Sequence, residues 1–562
     1  MPARKAKVTK DKPSGDVIEV KKSLQEKMKK TKSKGQKSSS KVDTLCPIGH
    51  KATIFKEGNE VWECMLNQTN IQNNNNKYFL LQLLVDESTG QYSTWFRWGR
   101  VGYNGQNDLK QWGGNLENAK SHLMKKFSDK TKNQWEDRKK FVKVPGKYEL
   151  VDIQVATNDE DDEDEVDEGP APKKKKIGDL VIMESELDKK VQDLIEMICD
   201  KKLMEETLKA LKFDVDKAPL GKLTAEQIKA GYKALSKIAD LINNQGKGSK
   251  MSLSEVCNEF YTRIPHYFGM RRPDLIDSIE TVKEKIELLD VLNDIQMGIK
   301  AVEPVKEEVE VRNPLDTQYK RLNVHLDPLD HGHDEFKLLE KYIKSTHGST
   351  HTSYKMKVQD IFVCEKSSFK FKDKGNRMLL FHGSRVSNYA GILSQGLRIA
   401  PPEAPVTGYM FGKGCYFADM SSKSANYCFP SKSQPEGLLL LCEVSLGKQN
   451  ELLNAKYDAD KLPKGKHSVK GVGKNCPTSD NYTKLSDGTI IPMGKLTTVF
   501  LFFCLFLFCA MRSIVCSILL GPGSKKDIPG AALLYNEYIV YDTEQIRLRY
   551  LAKIHFELGG FC

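Results

Sequence analysis

A dense run of acidic residues divides this chain into parts that cannot share one core. Nine of the ten residues from Asp159 to Glu168 are acidic, and a short stretch rich in proline then leads into four lysines, Lys173–Lys176. Because like charges at this density repel one another and resist burial, we predict that residues 156–178 form a linker. The 562 residues also exceed what one hydrophobic core supports, so roughly three or four domains are expected.

The composition narrows the class of protein. Hydrophobic residues make up 39% of the chain and charged residues 29%, which is typical of a soluble globular protein with some charged segments. These values exclude a collagen, a low-complexity polymer and a small disulfide scaffold.

The cysteines indicate a reduced, intracellular protein. There are thirteen, widely scattered, and no two have the Cys-x-x-Cys spacing of a zinc ribbon or a thioredoxin-like site. A metal site built from Cys46, His50 and Cys64 fits the known zinc spacings poorly. We therefore predict free thiols and no metal.

The N-terminal segment carries most of the net charge of +12. Residues 1–41 contain fourteen Lys or Arg and four Asp or Glu, which leaves +10 in this segment alone. It has no apolar periodicity, so we predict a disordered basic tail over residues 1–49. Such a tail indicates a polyanionic partner, with nucleic acid favoured over a membrane surface.

Targeting signals favour the nucleus. The N-terminus has no apolar stretch of the kind that a secretory signal needs. Lys173–Lys176 has the composition of a nuclear import signal, the alternative being a lysine run that only keeps the linker in solution.

Residues 50–155 predict a small β-rich domain with one helix. Tyr78–Val85 reads as a buried strand, and Tyr92–Trp98 alternates as the next strand. A helix is expected over residues 115–128, where four apolar residues share one face. They are Leu116, Ala119, Leu123 and Phe127.

Residues 179–300 predict an all-α bundle, because apolar residues recur there at spacings of three and four. The repeats are Val191, Leu194, Ile195 and Ile198; Leu235, Ile238, Ala239 and Ile242; and Ile279, Val282, Ile286, Leu289 and Leu292. A second charged linker follows over residues 301–312. Residues 313–562 combine short strand patterns, turns and a few helices, which predicts an α+β domain.

One segment disagrees with its surroundings. Leu496–Leu520 is a stretch of twenty-five residues with a single charge, Arg512, and it meets the length rule for a membrane-spanning helix. Patterns of a soluble domain flank it on both sides. A true membrane helix, an amphipathic insertion and extra sequence from a gene-model or splicing error are the three interpretations, and we favour the last.

The triplet Trp98-Gly-Arg100 at the end of a predicted strand suits a nucleic-acid terminus. Tryptophan stacks on an exposed base or sugar, and arginine binds phosphate through two parallel hydrogen bonds. Spacing alone favours a core tryptophan beside a solvated arginine. The segments around the triplet nevertheless resemble the WGR domain of DNA-dependent poly(ADP-ribose) polymerases. These segments are residues 66–70, 73–78, 95–102 and 129–138. The resemblance implies that Asn76, Trp98, Arg100 and Tyr148 bind the 5′-phosphate side of a DNA strand break.

A more specific resemblance covers the C-terminal part. The segments that carry it are residues 380–385, 391–405, 408–419, 422–428 and 535–541, including Leu380-Phe-His-Gly-Ser-Arg385 and Tyr535-Asn-Glu-Tyr-Ile-Val-Tyr541. Together they resemble the catalytic domain of the same polymerases. Val191–Ile195 and Pro219–Leu223 are similar to the autoinhibitory helical domain that precedes it in this family. The resemblance spans roughly residues 50–562, apart from 496–520 and the linkers.

This resemblance implies an NAD site with His382, Tyr416 and Glu537 as catalytic residues. Glu537 would stabilise an oxocarbenium-like centre, as carboxylates do in glycoside cleavage, and orient the acceptor ribose hydroxyl. His382 would bind ribose hydroxyls, and Tyr416 would close the pocket. The NAD-binding residues implied are His382, Gly383, Ser384, Asn388, Gly391, Arg398, Lys423, Ser424, Tyr427 and, from the helix bundle, Asp290. No metal is implied.

The function implied is that of a nuclear ADP-ribosyltransferase activated by DNA strand breaks. It would transfer ADP-ribose from NAD to proteins, including itself, and then to the 2′-OH of an earlier unit, releasing nicotinamide. Repair scaffolds and histone-modification accessory proteins are further expected partners, and a membrane is not. Three alternatives remain: a DNA-end-binding scaffold with an inactive catalytic domain, a mono-ADP-ribosyltransferase, which Glu537 argues against, and a membrane-tethered enzyme.

Overall fold

The computed structural model describes residues 42–58, 60–151, 184–215, 223–244, 251–302, 313–366, 368–494, 496–497 and 530–559. The predictions for the basic tail up to residue 41, for the acidic and lysine-rich linker and for residues 498–520 lie outside the described residues.

The N-terminal region is a twisted antiparallel sheet with one helix packed on it. Its strands are β1 (Ala52–Ile54), β2 (Lys56–Glu57), β3 (Glu60–Val61), β4 (Glu63–Asn70), β5 (Asn75–Asp86), β6 (Gln91–Arg100), β7 (Gln106–Gly113) and β8 (Glu149–Val151). The main sheet has the order β7-β6-β5-β4-β8, β1 pairs with β5, and β2 and β3 form a separate hairpin. The helix is α1 (Leu116–Thr131), and its buried residues Ala119, Leu123 and Phe127 cover one face of the sheet.

The middle region is all helical. Its helices are α2 (Lys189–Ile198), α3 (Lys201–Ala210), α4 (Ala225–Asn243), α5 (Leu253–Arg263) and α6 (Ile279–Val302). Side-chain caps fix several of their N-termini; Ser252 and Glu255 form a complete capping box at α5. The long helix α6 packs on α4 on one side and on the C-terminal domain on the other.

The C-terminal region is an α+β domain built on two main sheets. Its helices are α7 (Pro314–Leu322), α8 (Asp334–Ser345), α9 (Tyr389–Gln395) and α10 (Ser421–Ala425). The strands are β9 (His325–Pro328), β10 (Tyr354–Glu365), β11 (Arg377–Ser384), β12 (Cys415–Phe417), β13 (Glu436–Ser445), β14 (Gln449–Leu452), β15 (Ser468–Gly471), β16 (Gly473–Pro477), β17 (Thr483–Lys484), β18 (Ile490–Ile491), β19 (Leu496–Thr497), β20 (Leu533–Tyr535), β21 (Glu537–Val540) and β22 (Ile546–Leu558). The larger sheet has the order β17-β18-β11-β13-β22-β10-β9, and the smaller has the order β12-β21-β15-β14.

The elements agree with the predicted fold class: a β-rich region, a helical region and an α+β region follow one another in that order. The predicted helix 115–128 is three residues longer at its C-terminal end, where Thr131 is still buried and Lys132 adopts the left-handed conformation that ends the helix.

The apolar segment begins inside the C-terminal domain. Its first two residues, Leu496 and Thr497, form β19 and pair with Pro477 and Cys476 of β16. Within the described residues, no helix has both the length and the apolar character needed to cross a membrane.

Candidate active site and nucleic-acid interface

A cavity of about 810 Å³ lies where the smaller sheet, the larger sheet and helix α6 meet. Strand β11 contributes His382 and Ser384 to its lining, β12 contributes Tyr416, and β21 begins with Glu537 at the same cavity. The short helix α10 adds Lys423 and Ser424. A volume of this size suits a nucleotide-sized ligand.

His382 is held in one tautomer. Its Nδ1 lies 2.9 Å from the carbonyl oxygen of Tyr416, and because a carbonyl oxygen only accepts, the proton is on Nδ1. Burial lowers the pKa of His382, so the ring is neutral at neutral pH. The lone pair on Nε2 is therefore left to accept a hydrogen bond from a hydroxyl group.

The opposite side of the pocket is formed by a close approach of two backbones. A Cβ added at Gly383 would lie 1.9 Å from the carbonyl oxygen of Ser424, so a side chain at this position would displace α10. The Ser424 hydroxyl donates to the carbonyl oxygen of Phe381 at 2.9 Å, which leaves its lone pairs for a ligand. Tyr427 is 55% exposed at the cavity mouth, where its ring can stack on a planar group.

Tyr416 is fixed through its hydroxyl group by two hydrogen bonds. Its hydroxyl donates to the carbonyl oxygen of Gly412 at 2.7 Å and accepts from the backbone N–H of Phe411 at 3.0 Å. Burial raises the pKa of this phenol well above its ordinary value. Tyr416 thus supplies a rigid ring to the cavity and, through its carbonyl, orients His382.

The carboxylate of Glu537 forms an ion pair with Lys423 that is largely shielded from water. Lys423 Nζ lies 2.9 Å from Glu537 Oε1, and each side chain is 15% exposed. The same ammonium donates to the carbonyl oxygens of Tyr535 and Asn536 at 2.9 and 3.1 Å. Burial lowers the pKa of Lys423, and the neighbouring Glu537 opposes that shift.

A buried carboxylate that the sequence analysis did not single out fixes the strand around Glu537. The neighbours of Glu537 in the chain, Asn536 and Tyr538, both donate to Oδ2 of Asp419, at 2.7 and 3.0 Å. Asn536 Oδ1 accepts from the backbone N–H of Gly473 at 2.9 Å. Since side chains alternate along a strand, anchoring both neighbours on one side directs Glu537 to the other, into the cavity.

The residues expected near the adenosine half of NAD lie at the end of the cavity that α6 covers. Asn388 donates to the Ser384 hydroxyl at 2.9 Å. Arg398 forms an ion pair with Asp294, and Asp290 accepts a hydrogen bond from the Tyr232 hydroxyl. These residues line the cavity, with the exception of Tyr232.

Gly391 alone among the expected NAD residues does not line the cavity. It lies against the backbone of α6, where an added Cβ would be 2.4 Å from the Asp294 carbonyl oxygen.

Helix α6 contributes acidic side chains that sequence analysis overlooked, apart from Asp290. Glu287, Asp290 and Asp294 face the cavity, and Glu287 pairs with Arg385 at 2.7 Å. Their spacings of three and four place them on one helical face. The sequence signal that could have identified them is this run of acids on one face of an otherwise apolar helix.

A second cluster of interest lies on the N-terminal sheet and combines aromatic rings with lysines. Trp98 stacks on Phe79 with ring centroids 5.4 Å apart, and the edge of Tyr148 meets the same ring at 6.1 Å. Lys130 Nζ lies 4.9 Å from the centre of that ring. The exposed Lys77 is the register partner of Arg100, on the strand next to it. Lys77 and Lys130 extend the predicted DNA-binding set, and only the fold brings them to it.

Asn76 and Arg100 are engaged with the helical region in this structure. Asn76 is buried, and its amide donates to the carbonyl oxygen of His266 at 2.9 Å. The Arg100 guanidinium donates to the carbonyl oxygens of Gly269 at 2.6 Å, Asn74 at 2.7 Å and Arg271. Trp98 and Tyr148 are partly buried and pack on the sheet. The four expected DNA-binding residues therefore divide into an aromatic pair on the sheet and an interdomain pair.

Metal ligands do not cluster in the described part of the chain. No group of three or more His, Cys, Asp or Glu side chains there is arranged to hold a metal ion. The prediction that the protein needs no metal stays a prediction.

Comparison with protein families matches three consecutive regions of the chain. Residues 62–142 match the WGR domain, residues 185–319 match the regulatory domain of poly(ADP-ribose) polymerase, and residues 333–500 match its catalytic domain. The chain belongs to the poly(ADP-ribose) polymerase family, and it is an NAD+ ADP-ribosyltransferase.

The relatives extend over nearly the whole chain. Human poly(ADP-ribose) polymerase 2 is 49% identical over 525 residues, which is 92% of this chain and 84% of the relative. The polymerase 2 of Arabidopsis thaliana is 39% identical over 512 residues, 90% of this chain and 74% of the relative. Poly(ADP-ribose) polymerase 1 of Gallus gallus is 39% identical over 526 residues, 92% of this chain and 48% of that longer protein. The predicted family, fold class and enzyme class are confirmed, and NAD is the substrate of this family.

Proposed function

We propose that this enzyme synthesises poly(ADP-ribose) in the nucleus in response to DNA strand breaks, as part of DNA repair signalling. Its acceptors would be proteins, including itself, and its repair-scaffold and histone-modification partners would act through the same polymer. The observation that carries the proposal is a single cavity in which His382, Tyr416 and the Lys423–Glu537 ion pair converge beneath a helix of the regulatory region.

The cavity supports a division of roles among its residues. The backbone of Gly383, the hydroxyl of Ser424 and the ring of Tyr427 line one part of the cavity. Together they would bind a planar carboxamide, the first two by hydrogen bonds and the ring by stacking. Neutral His382 would accept a hydrogen bond from a ribose hydroxyl at Nε2. Ser384, Asn388, Arg398 and Asp290 would surround the adenosine half, and Gly391 would support them from behind.

Glu537 would act at the reacting centre. Cleavage breaks the bond between the ribose C1′ and the nicotinamide nitrogen, and nicotinamide leaves as a neutral molecule. The acceptor hydroxyl oxygen then forms a bond to C1′, and the hydroxyl proton would pass to the Glu537 carboxylate. A carboxylate near the 2′-OH stabilises positive charge developing on the ribose, and the same group can orient an incoming ribose hydroxyl.

The regulatory helices would act as a brake on this site. Glu287 and Asp294 form ion pairs with Arg385 and Arg398, two cations of the cavity lining that would otherwise be available to the negatively charged pyrophosphate of NAD. In a population-shift description, the apparent affinity for NAD falls by the fraction of molecules in which α6 remains in place. Release of α6 would return both guanidiniums to the substrate.

The N-terminal sheet would detect the break. The partly accessible rings of Trp98 and Tyr148 support stacking on a broken end, and Arg100, Lys77 and Lys130 supply positive charge beside them. Arg100 also binds the backbone of the regulatory region. Binding of DNA at this face would therefore be coupled, through this side chain, to the contact between the two domains.

Labelled NAD and defined DNA test the proposal. The full chain is incubated with no DNA, with an intact duplex, and with nicked duplexes carrying a 5′-phosphate or a 5′-hydroxyl. We expect a ladder of polymer that is longest with the phosphorylated nick. Arg100→Ala should remove this stimulation, and Lys355→Ala, which removes an exposed charge from the C-terminal domain, should not. Equal labelling under all four conditions would contradict break activation.

A further inference from the structure

The loop that receives Arg100 has an unusual surface. We define the seam loop as Tyr267–Arg272, which follows α5 and lies at the contact between the N-terminal sheet and the helical region. The ring of Tyr267 covers Gly102, where an added Cβ would lie 2.1 Å from Tyr267 Cδ2. The seam loop is thus held against the tip of the sheet next to the predicted DNA-binding face.

Large apolar side chains of this region are open to solvent. Met270 is 71% exposed, Tyr267 is 49% exposed and Tyr103, from the sheet, is 39% exposed. The rings of Tyr103 and Tyr267 are 6.5 Å apart. Single exposed apolar residues are ordinary, but a group of them marks an interaction surface.

The charges of the seam loop identify the kind of partner. Arg271 and Arg272 are consecutive and both exposed, and neither has an acidic partner within the described residues. The nearest acid along the chain, Asp274, forms an ion pair with Lys212 instead, at 3.5 Å. Arg272 lies against the sheet, where its guanidinium donates to the carbonyl oxygen of Gln72 at 3.3 Å.

Basic side chains lie on both sides of the contact between the two domains. Arg100 binds the backbone of Gly269 and Arg271, and Lys77 stands next to Arg100 in the sheet. Since Arg100 joins Lys77 to the seam loop, a duplex lying on Trp98 and Lys77 would come close to Arg271 and Arg272. Guanidinium groups match phosphate geometry, and tyrosine tolerates contact with any sugar or base.

We propose that the seam loop is a second DNA contact, in which Arg271 and Arg272 bind backbone phosphates of the duplex flanking the break. This inference rests on the proposed binding of DNA to the N-terminal sheet. The contact is independent of base sequence, because it involves phosphates only. It gives the regulatory region its own direct contact with DNA.

Salt dependence of binding tests the inference. The plot of log affinity against log salt has a negative slope, and each phosphate contact that is lost reduces its magnitude by about 0.9. Binding of the full chain to a 5′-phosphorylated nicked duplex is measured by fluorescence anisotropy from about 50 to 200 mM salt. The variant Arg271→Gln/Arg272→Gln should lose about one to two units of slope and about tenfold to a hundredfold in affinity at the lowest salt.

Two further variants make the result decisive. Arg271→Lys/Arg272→Lys keeps both charges and should retain most of the slope, which separates lost charge from a damaged fold. Lys337→Gln/Lys344→Gln removes two exposed charges from α8 and should leave the slope unchanged. Basal NAD cleavage without DNA should be the same in all variants.

The outcomes distinguish this inference from the proposal on which it rests. If the parent chain binds nicks and the glutamine variant binds with the same slope and affinity, the seam loop does not contact DNA, although break binding stands. If the parent chain shows no salt-dependent binding to nicks, both statements are wrong.

Discussion

Lys423 Nζ lies 2.9 Å from Glu537 Oε1 and also binds the carbonyl oxygens of the two residues that precede Glu537. One ammonium therefore fixes both the carboxylate and the start of the strand that carries it. Because charge-assisted hydrogen bonds shielded from water are the stronger ones, this ion pair sets the direction of the Glu537 side chain.

Removing the Lys423 charge should slow polymer elongation. We expect Lys423→Met to lower kcat for elongation about tenfold to a hundredfold, the equivalent of about 1.5–3 kcal/mol, with a smaller change in KM for NAD. Since burial lowers the pKa of Lys423, the rate in the parent enzyme should begin to fall at a lower pH than an ordinary lysine would give. Steady-state rates against pH check both statements, and an unchanged alkaline limb in Lys423→Met would contradict them.

The Asp419 contacts predict a different effect for the neighbours of Glu537. Tyr538→Phe removes one hydrogen bond to a buried carboxylate, so the free energy of unfolding should fall by about 1–3 kcal/mol and kcat should fall as well. Tyr342→Phe is the matched control, because its hydroxyl donates to the Leu379 carbonyl oxygen in the same domain. That variant should lose stability with little loss of kcat. Equal loss of kcat in both variants would show that Asp419 only stabilises the fold.

The packing of α6 predicts how to release the brake. A Cβ added at Gly298 would lie 2.9 Å from the Cβ of Ala390 and 3.0 Å from the backbone nitrogen of Gly391. Overpacking of this kind costs about 1–3 kcal/mol, so Gly298→Leu should weaken docking of α6 and raise DNA-independent activity about fivefold or more. Lys300→Leu, on an exposed part of the same helix, should not. A folded Gly298→Leu enzyme that stays silent without DNA would argue against a brake at α6.

Asp290 should make the free energy of unfolding depend on pH. Burial raises its pKa to about 7; the hydrogen bond from Tyr232 and the charge of Arg398 oppose this shift, and Asp294 and Glu287 add to it. In the unfolded chain the carboxyl ionises near pH 3.9, so unfolding releases a proton between about pH 4 and 7. The free energy of unfolding should therefore fall as pH rises through this window and level off above it.

Melting temperatures at several pH values check this expectation. Asp290→Asn stays neutral, so its Tm should decline less between pH 5 and pH 7 than that of the parent enzyme. Parallel curves for the two proteins would contradict a neutral, buried Asp290.

The sequence predicted elements whose signals are local. The repeat Val191, Leu194, Ile195 and Ile198 became the buried face of α2, and the alternating run around Trp95 became β6. The motif residues His382, Ser424 and Glu537 met in one cavity, although 155 positions separate the first from the last. That agreement came from a resemblance over many segments, since no single spacing specified it.

Other features depend on contacts between distant segments and had no local signal. Asp419 reads as an ordinary residue after a strand, and only the smaller sheet brings it to Asn536 and Tyr538. Arg100 reads as a phosphate ligand, yet its guanidinium is taken up by the carbonyl oxygens of the seam loop. Backbone acceptors of this kind leave no mark in side-chain patterns.

The most direct test of the account is the length of polymer made by Glu537→Gln. With a phosphorylated nick and labelled NAD, the parent enzyme should give long chains. The variant should still bind NAD and release some nicotinamide, but it should add single units at most. The control Glu340→Gln, on α8, should match the parent enzyme. Long polymer from purified Glu537→Gln would contradict the role of this carboxylate and, with it, the assignment of the cavity.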